Sequence, residues 1–187
     1  MDFQSHCAGT GVRRVCRDGS RGWNAFSYWV LTVDYSRKQF PNYDRGKPDV
    51  IAYVTVGAND IARAERFYSA FLPALGYELE YYHGDLSYAL PVEQGRSPVS
   101  PDFYVKAPFN GQPASTGNGN MVAFEAHNQA QVRELHAAAL AAGGADEGAP
   151  GFRDAYGPNF YVSYLRDPDG NKVALFSSNP DDPGRDG

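Results

Sequence analysis

The stretch YVTVGANDIARAERFYSAFLPALGY, Tyr53 to Tyr77, decides how this chain folds. It opens on a short apolar strand, Tyr53 to Gly57, and runs on into a helix expected from about Asp60 to Leu75. Ile61, Ala64, Phe67, Tyr68, Phe71, Leu72 and Leu75 recur at the steps that place side chains on one helical stripe. Asn59 or Asp60 offers an oxygen to the free amides of the first turn, and Gly76 marks the stop. The stretch occurs twice. Shifted by 68 positions, MVAFEAHNQAQVRELHAAALAAGGA, Met121 to Ala145, falls onto it. Val54 lands on Val122, Val56 on Phe124, Ala64 on Val132, Phe67 on Leu135, Leu72 on Leu140 and Gly76 on Gly144. Strand stays on strand and stripe on stripe. The chain therefore reads as two copies of one supersecondary unit facing each other, with a functional site between them.

The remaining segments follow the same order. Tyr77 to His83 reads as a strand that turns at Gly84-Asp85 into a second, Leu86 to Val92. A loop rich in Gly, Ser and Pro leads to a third, Asp102 to Ala107. In the second copy the helix is expected from about Asn128 to Ala142, with Asn128 and Gln131 at capping-box spacing. A Gly-rich connection, Gly143 to Pro158, precedes strands Phe160 to Arg166 and Lys172 to Ser177. Asp167-Pro168-Asp169-Gly170-Asn171 joins those strands and has turn chemistry: Pro fixes φ, while Gly and Asn tolerate positive φ. It is not a calcium loop, because its carboxylates stop after two and strands rather than helices flank it. Each unit is β-α-β-β-β, and the fold class is α+β: two paired βαβββ modules, about 51–110 and 119–178, form a curved mixed sheet around a concave pocket with helices outside.

The chain has 187 residues, 42% hydrophobic and 21% charged, enough for a sizeable core. Its net charge of −5 and lack of a basic run argue against a nucleic-acid partner. No apolar run reaches the ~20 residues of a membrane span. Residues 1–48 form an extension that matches neither copy and is net basic, whereas the rest is net acidic. Pro41 to Asp49 supplies the boundary loop, 49–178 the domain proper, and Asn179 to Gly187 a tail expected to fray. Within the extension Trp23 to Tyr35 is apolar enough to be ordered. It reads as an appended strand or short helix, or as a lid or dimer arm anchored by Trp23 and Trp29. Cys7 and Cys16 make no disulfide scaffold, and with only His6 nearby they do not complete a metal site. The first 22 residues lack the apolar core of a secretory signal, so cytoplasmic residence is expected.

Strand alternation sorts side chains by face. Val54, Val56, Val122, Phe124, Val173 and Leu175 belong under the helices. Tyr53, Thr55, Tyr104, Lys106, Met121, Ala123, Glu125 and Ala174 then line the concave face. Aromatic rings, a thioether and few charges are the lining of a small-molecule pocket. Tyr156 and Tyr161 are candidates for its rim.

The paired units, the phrases TVGANDIARAERFYSAFLPALGY and VAFEAHNQAQVRELHAAALAAGG, and the closing FYVSYLRDPDGNKVALF together resemble the vicinal oxygen chelate superfamily. That superfamily includes glyoxalase I, bleomycin-resistance proteins and extradiol dioxygenases. The resemblance covers about residues 51–178. It implies a His in the first strand of each copy and a Glu in the last strand of the second as metal ligands. Carried over, those positions hold Tyr53, Met121 and Ala174, and the fourth holds Lys106, or Tyr104 if the register slips by two. None is a donor suited to a divalent ion, so no metal or other cofactor is expected. His83, His127 and His136 do not replace them: His136 lies on the helix stripe and His83 beside a turn.

The function expected from these residues is metal-free binding of an aromatic or amphipathic small molecule, through Tyr53, Thr55, Tyr104, Lys106, Met121, Ala123, Ala174 and Tyr161. The alternative is an enzyme of the lactoylglutathione lyase or dioxygenase type, metal-free or with a further metal site. Its catalytic candidates are Glu125 as the lone carboxylate on the concave face, Lys106 as an oxyanion stabiliser and His83 as an acid or base at the rim. The resemblance also implies a homodimer, with modules paired within one chain or swapped between two.

Overall fold

The computed structural model describes residues 51–91 and 101–186. The readings on the N-terminal extension and on most of the loop before Asp102 lie outside the described residues. The described chain runs β1 (Tyr53–Gly57), α1 (Ile61–Tyr68), a 3-10 turn (Leu72–Leu75), β2 (Glu78–Tyr82), β3 (Asp85–Ala89), β4 (Asp102–Lys106), β5 (Val122–Glu125), α2 (Gln129–Ala141), β6 (Ala145–Phe152), β7 (Tyr161–Arg166) and β8 (Lys172–Ser177). It forms two four-stranded mixed sheets, ordered β1-β4-β3-β2 and β5-β8-β7-β6, the same topology twice. In each sheet the first strand pairs in parallel with the last, and the other pairings are antiparallel. The α+β class and the two βαβββ modules stand as the sequence implies.

Two elements differ from expectation, each for a physical reason. The first helix stops at Tyr68, and Leu72–Leu75 forms a separate 3-10 turn. Pro73 lacks an amide hydrogen and disfavours helical backbone at the residue before it. At the equivalent place the second copy has Ala141, and α2 runs through to it. The connection after α2 is not a loop, because Ala145–Phe152 is a strand on β7. Its Gly and Pro hide the strand signal and survive because β6 is an edge strand with register shifts around Gly148, where ladder bonds are not all required. The C-terminal tail makes polar contacts with the domain: Asp182 accepts from the Gln129 amide at 2.7 Å, and the Arg185 amide donates to the Pro158 carbonyl at 2.9 Å.

One core joins the modules. Phe67, Tyr68, Phe71, Leu86, Tyr88, Phe103 and Val105 of the first are buried with Phe124, Val132, Leu135, Ala139, Leu165 and Leu175 of the second. Phe124 is the meeting point, with ring centroids 5.3 Å from Phe103, 5.8 Å from Phe71 and 6.0 Å from Tyr77. All these side chains come from the helix-side faces, so the opposite face of each sheet is left outward.

The DPDGN turn adds polar contacts between modules. Buried Asp167 accepts from the Tyr68 hydroxyl at 2.8 Å and from the Asp169 and Asn171 amides at 2.9 and 2.7 Å. Asp169 accepts from Asn59 and from the Arg63 guanidinium, both at 3.0 Å. The Asn171 side chain donates to the Gly57 carbonyl at 2.9 Å, where β1 ends. A turn between two strands of the second module thus grips the start of α1 and the end of β1 in the first.

Candidate functional site

The parallel pairing of β1 with β4 and of β5 with β8 fixes which residues share the faces turned away from the helices. On the first sheet Tyr53 lies opposite Asp102, Thr55 opposite Tyr104 and Gly57 opposite Lys106. On the second Ala123 lies opposite Ala174 and Glu125 opposite Phe176. Thr55 and Ala123 are repeat equivalents, so the first-module counterpart of Ala174 is Tyr104, not Lys106. The constant shift of 68 fails at the last strand, which sits two residues further along in the second module.

The structure gathers the sequence-chosen residues into two sets. Tyr53, Thr55, Tyr104 and Lys106 occupy the outward face of the first sheet. Tyr53 meets Tyr104 edge-on with centroids 5.6 Å apart and remains 62% exposed. The Tyr104 hydroxyl donates to Asp102 at 3.1 Å, and the Lys106 ammonium lies 3.4 Å from Asp85. Exposed Met121, Ala123 and Glu125 and buried Ala174 occupy the corresponding surface of the second sheet. Strand pairing does not connect the sheets among the described residues. Tyr161 stands apart: it lies opposite Ser177 on the helix side, nearly buried, with the Arg133 guanidinium 5.6 Å from its ring centroid. His83 is exposed in the β2–β3 turn at φ 53°, its ring edge-on to Tyr82.

Sequence reading missed the aromatic cover on the second sheet. Phe160 stacks on Phe176 at 5.1 Å, and Tyr156 meets Phe160 at 5.0 Å, beside an open hollow. The Arg153 guanidinium and Lys172 ammonium approach the Tyr164 ring at 5.4 and 5.0 Å. Alternation along β8 does put Lys172, Ala174 and Phe176 on one face; the folding-over of Phe160 has no sequence signal.

A pocket of about 230 Å³ lies in the seam between the modules. Val54, Phe103, Val122 and Phe124 floor it, Leu75, Tyr77 and Leu90 wall it, and Pro101, Asp102, Ala123 and Glu125 complete it. Ala123 and Glu125 are the only members chosen from sequence. Burial, and secondarily the charge of Asp102, push the Tyr77 hydroxyl above its ordinary pKa, so the phenol stays neutral.

Among the described residues no three His, Cys, Asp or Glu side chains converge into a group able to hold a metal ion, and no helix is long and apolar enough to cross a membrane.

The fold has known counterparts. A glyoxalase/bleomycin resistance protein from Albidiferax ferrireducens T118 is 36% identical, with a TM-score of 0.57 over 68% of this chain and 97% of its own. A glyoxalase-related enzyme from Fulvimarina pelagi is 20% identical, with a TM-score of 0.53 over 71% and 90%. A glyoxalase/bleomycin resistance protein/dioxygenase family enzyme from Burkholderia phytofirmans PsJN is 18% identical, with a TM-score of 0.51 over 68% and 98%. No curated protein matches the sequence. The family model for the same group matches residues 50–175, the segment that holds both modules. On that match and the Albidiferax likeness, the chain belongs to the glyoxalase/bleomycin resistance protein/dioxygenase superfamily.

Proposed function

We propose that this chain is a small-molecule-binding member of the superfamily that works without the divalent ion of its chelating relatives. The carrying observation is the donor set. At the positions where the resemblance requires His, His and Glu stand Tyr53, Met121 and Ala174, and the pairing of Tyr104 with Thr55, as of Ala174 with Ala123, supports Tyr104 as the fourth. A protonated phenol, a thioether and a methyl group do not hold Zn²⁺, Ni²⁺, Mn²⁺ or Fe²⁺, so the residues present do not fit the ion. Two aromatic surfaces support the choice of ligand: the Tyr53–Tyr104 pair, and the Phe160–Phe176 stack beside the methyl of Ala174. Flat apolar rings gain most from such surfaces, by area and by ring–ring geometry.

The same reading takes the working form to be a homodimer. The two outward faces belong to separate sheets, and Tyr53 on edge strand β1 and Met121 just before edge strand β5 are exposed. A second copy supplies the face each lacks. Sedimentation at micromolar concentration tests this; a monomer that still binds ligand removes the dimer from the proposal.

The experiment for function is calorimetry of the purified full chain with 1-naphthol as probe, with and without chelator. Saturable binding that the chelator leaves unchanged, and that Tyr104→Ala and Met121→Ala weaken, is the expected result. Stoichiometric Ni²⁺ or Zn²⁺ held through positions 53, 121 and 174, or metal-dependent turnover of thiol adducts or catechols, overturns it.

A further inference from the structure

The seam pocket differs from both outward faces in its chemistry. Its floor is the helix-side surface of β1, β4 and β5, where Phe103 and Phe124 are nearly buried. Two carboxylates stand at it, Asp102 and exposed Glu125, and among the described residues no Lys, Arg or His lines it. Among the described residues the Asp102 side chain accepts from the Tyr104 hydroxyl, at 3.1 Å, and neither Asp102 nor Glu125 forms an ion pair. The Tyr77 phenol stays neutral and offers its ring rather than a charge. Low-dielectric walls beside two carboxylates that no described cation pairs concentrate negative potential inside the pocket. Aromatic faces add attraction for a cation that has shed part of its water.

We infer that this pocket binds a small organic monocation, an aromatic or short alkyl amine, with its apolar body on Phe103 and Phe124 and its ammonium toward Asp102 and Glu125. The volume of about 230 Å³ limits the body to about one ring or a short chain, since ordinary ligand clefts run roughly 300–1,000 Å³. An anion of the same shape is excluded by the same carboxylates. Ala123 and Glu125 border both this pocket and the outward surface of the second sheet, but the amine's body sits on the helix-side floor rather than on the aromatic pairs, and the inference does not rest on the metal-free reading.

The test titrates the full chain by calorimetry with phenethylamine, with 3-phenylpropionate as the anion of similar shape and phenethyl alcohol as the neutral one. Saturable binding of the amine alone is expected. Glu125→Gln and Asp102→Asn should each weaken it roughly tenfold or more, the worth of a charge-assisted hydrogen bond. Leu90→Trp narrows the pocket from its wall while leaving both carboxylates, and should abolish binding; an unchanged circular dichroism spectrum separates occlusion from unfolding. Absence of amine binding, equal affinity for amine and carboxylate, or an affinity indifferent to all three substitutions overturns the inference. Phenethylamine should not displace 1-naphthol, so either site can fail without the other.

Discussion

Tyr68 and His136 occupy the same place in the two copies, and each meets a carboxylate. Tyr68 donates to Asp167 at 2.8 Å, fully buried, and burial together with the Asp167 charge raises its pKa well above the ordinary phenol range. Tyr68→Phe removes one charge-assisted bond while Asp167 keeps its turn donors. The expected loss is about 1.5–3 kcal/mol in urea unfolding. His136 is 5% exposed, with Nε2 3.4 Å from Asp146 and Nδ1 buried without a partner among the described residues. Burial lowers its pKa below 6.5, and the charge of Asp146 opposes that shift without cancelling it. The unfolded chain then binds the proton first as pH falls. This contribution is complete above pH 6.5 and is lost as pH drops through the folded value. His136→Leu should flatten the dependence of the urea midpoint between pH 7.5 and 5.5; a slope unchanged from the parent chain refutes the assignment. The stripe revealed that both residues face inward. Their acceptors were not legible, because periodicity says nothing about a partner that folding brings from another segment.

At the scale of elements, Gly76 and Gly144 align in the repeat but serve different ends. Gly76 closes the 3-10 turn at φ 90°, a left-handed cap that favours glycine. In the second copy the positive φ passes to Gly143, at 101°, and Gly144 is needed for space. A methyl there would lie 2.6 Å from Phe67 Cε2 and 2.9 Å from the Ala139 carbonyl oxygen. Gly144→Ala should therefore cost about 1–3 kcal/mol by overpacking, and Gly76→Ala about 1 kcal/mol by backbone strain. In a double variant with Phe67→Leu the first penalty should shrink and the second should not, as thermal melting would show. Helix starts were readable to within a residue, because Asp60 and Asn128 each cap through a side-chain oxygen, to Arg63 and Gln131. The break after Tyr68 was less so, since the stripe continues across Pro73. β6 was unreadable, because an edge strand that contains Pro150 and two glycines carries its order in the neighbouring β7 rather than in its own propensity.

At the scale of the molecule, the duplication was legible, since it depends on residue identity alone. Which faces meet was not: alternation separates two faces of a strand but does not say which one a second sheet covers. The structure puts Phe124 against Phe71 and Phe103 and leaves Tyr53 and Met121 outside. The DPDGN turn likewise announced its bend but not its grip on α1. That grip should be separable from folding of the second module. Asp169 has a side chain only 2% exposed, and its Oδ1 takes both Asn59 and Arg63, while Arg63 remains 43% exposed. Asp169→Ala removes both bonds, yet the Arg63 guanidinium can still turn to water, so the cost should stay near about 1–3 kcal/mol rather than reach that of a fully buried orphan charge. The effect should also be local. Amides in the first turn of α1 and at the DPDGN turn should exchange hydrogen faster, because their opening no longer breaks contacts between modules. Amides of β7 and β8 outside the turn should keep their protection, held by their own ladder and by α2. Equal acceleration throughout both modules would mean that they open as one unit and that the turn is no separable joint.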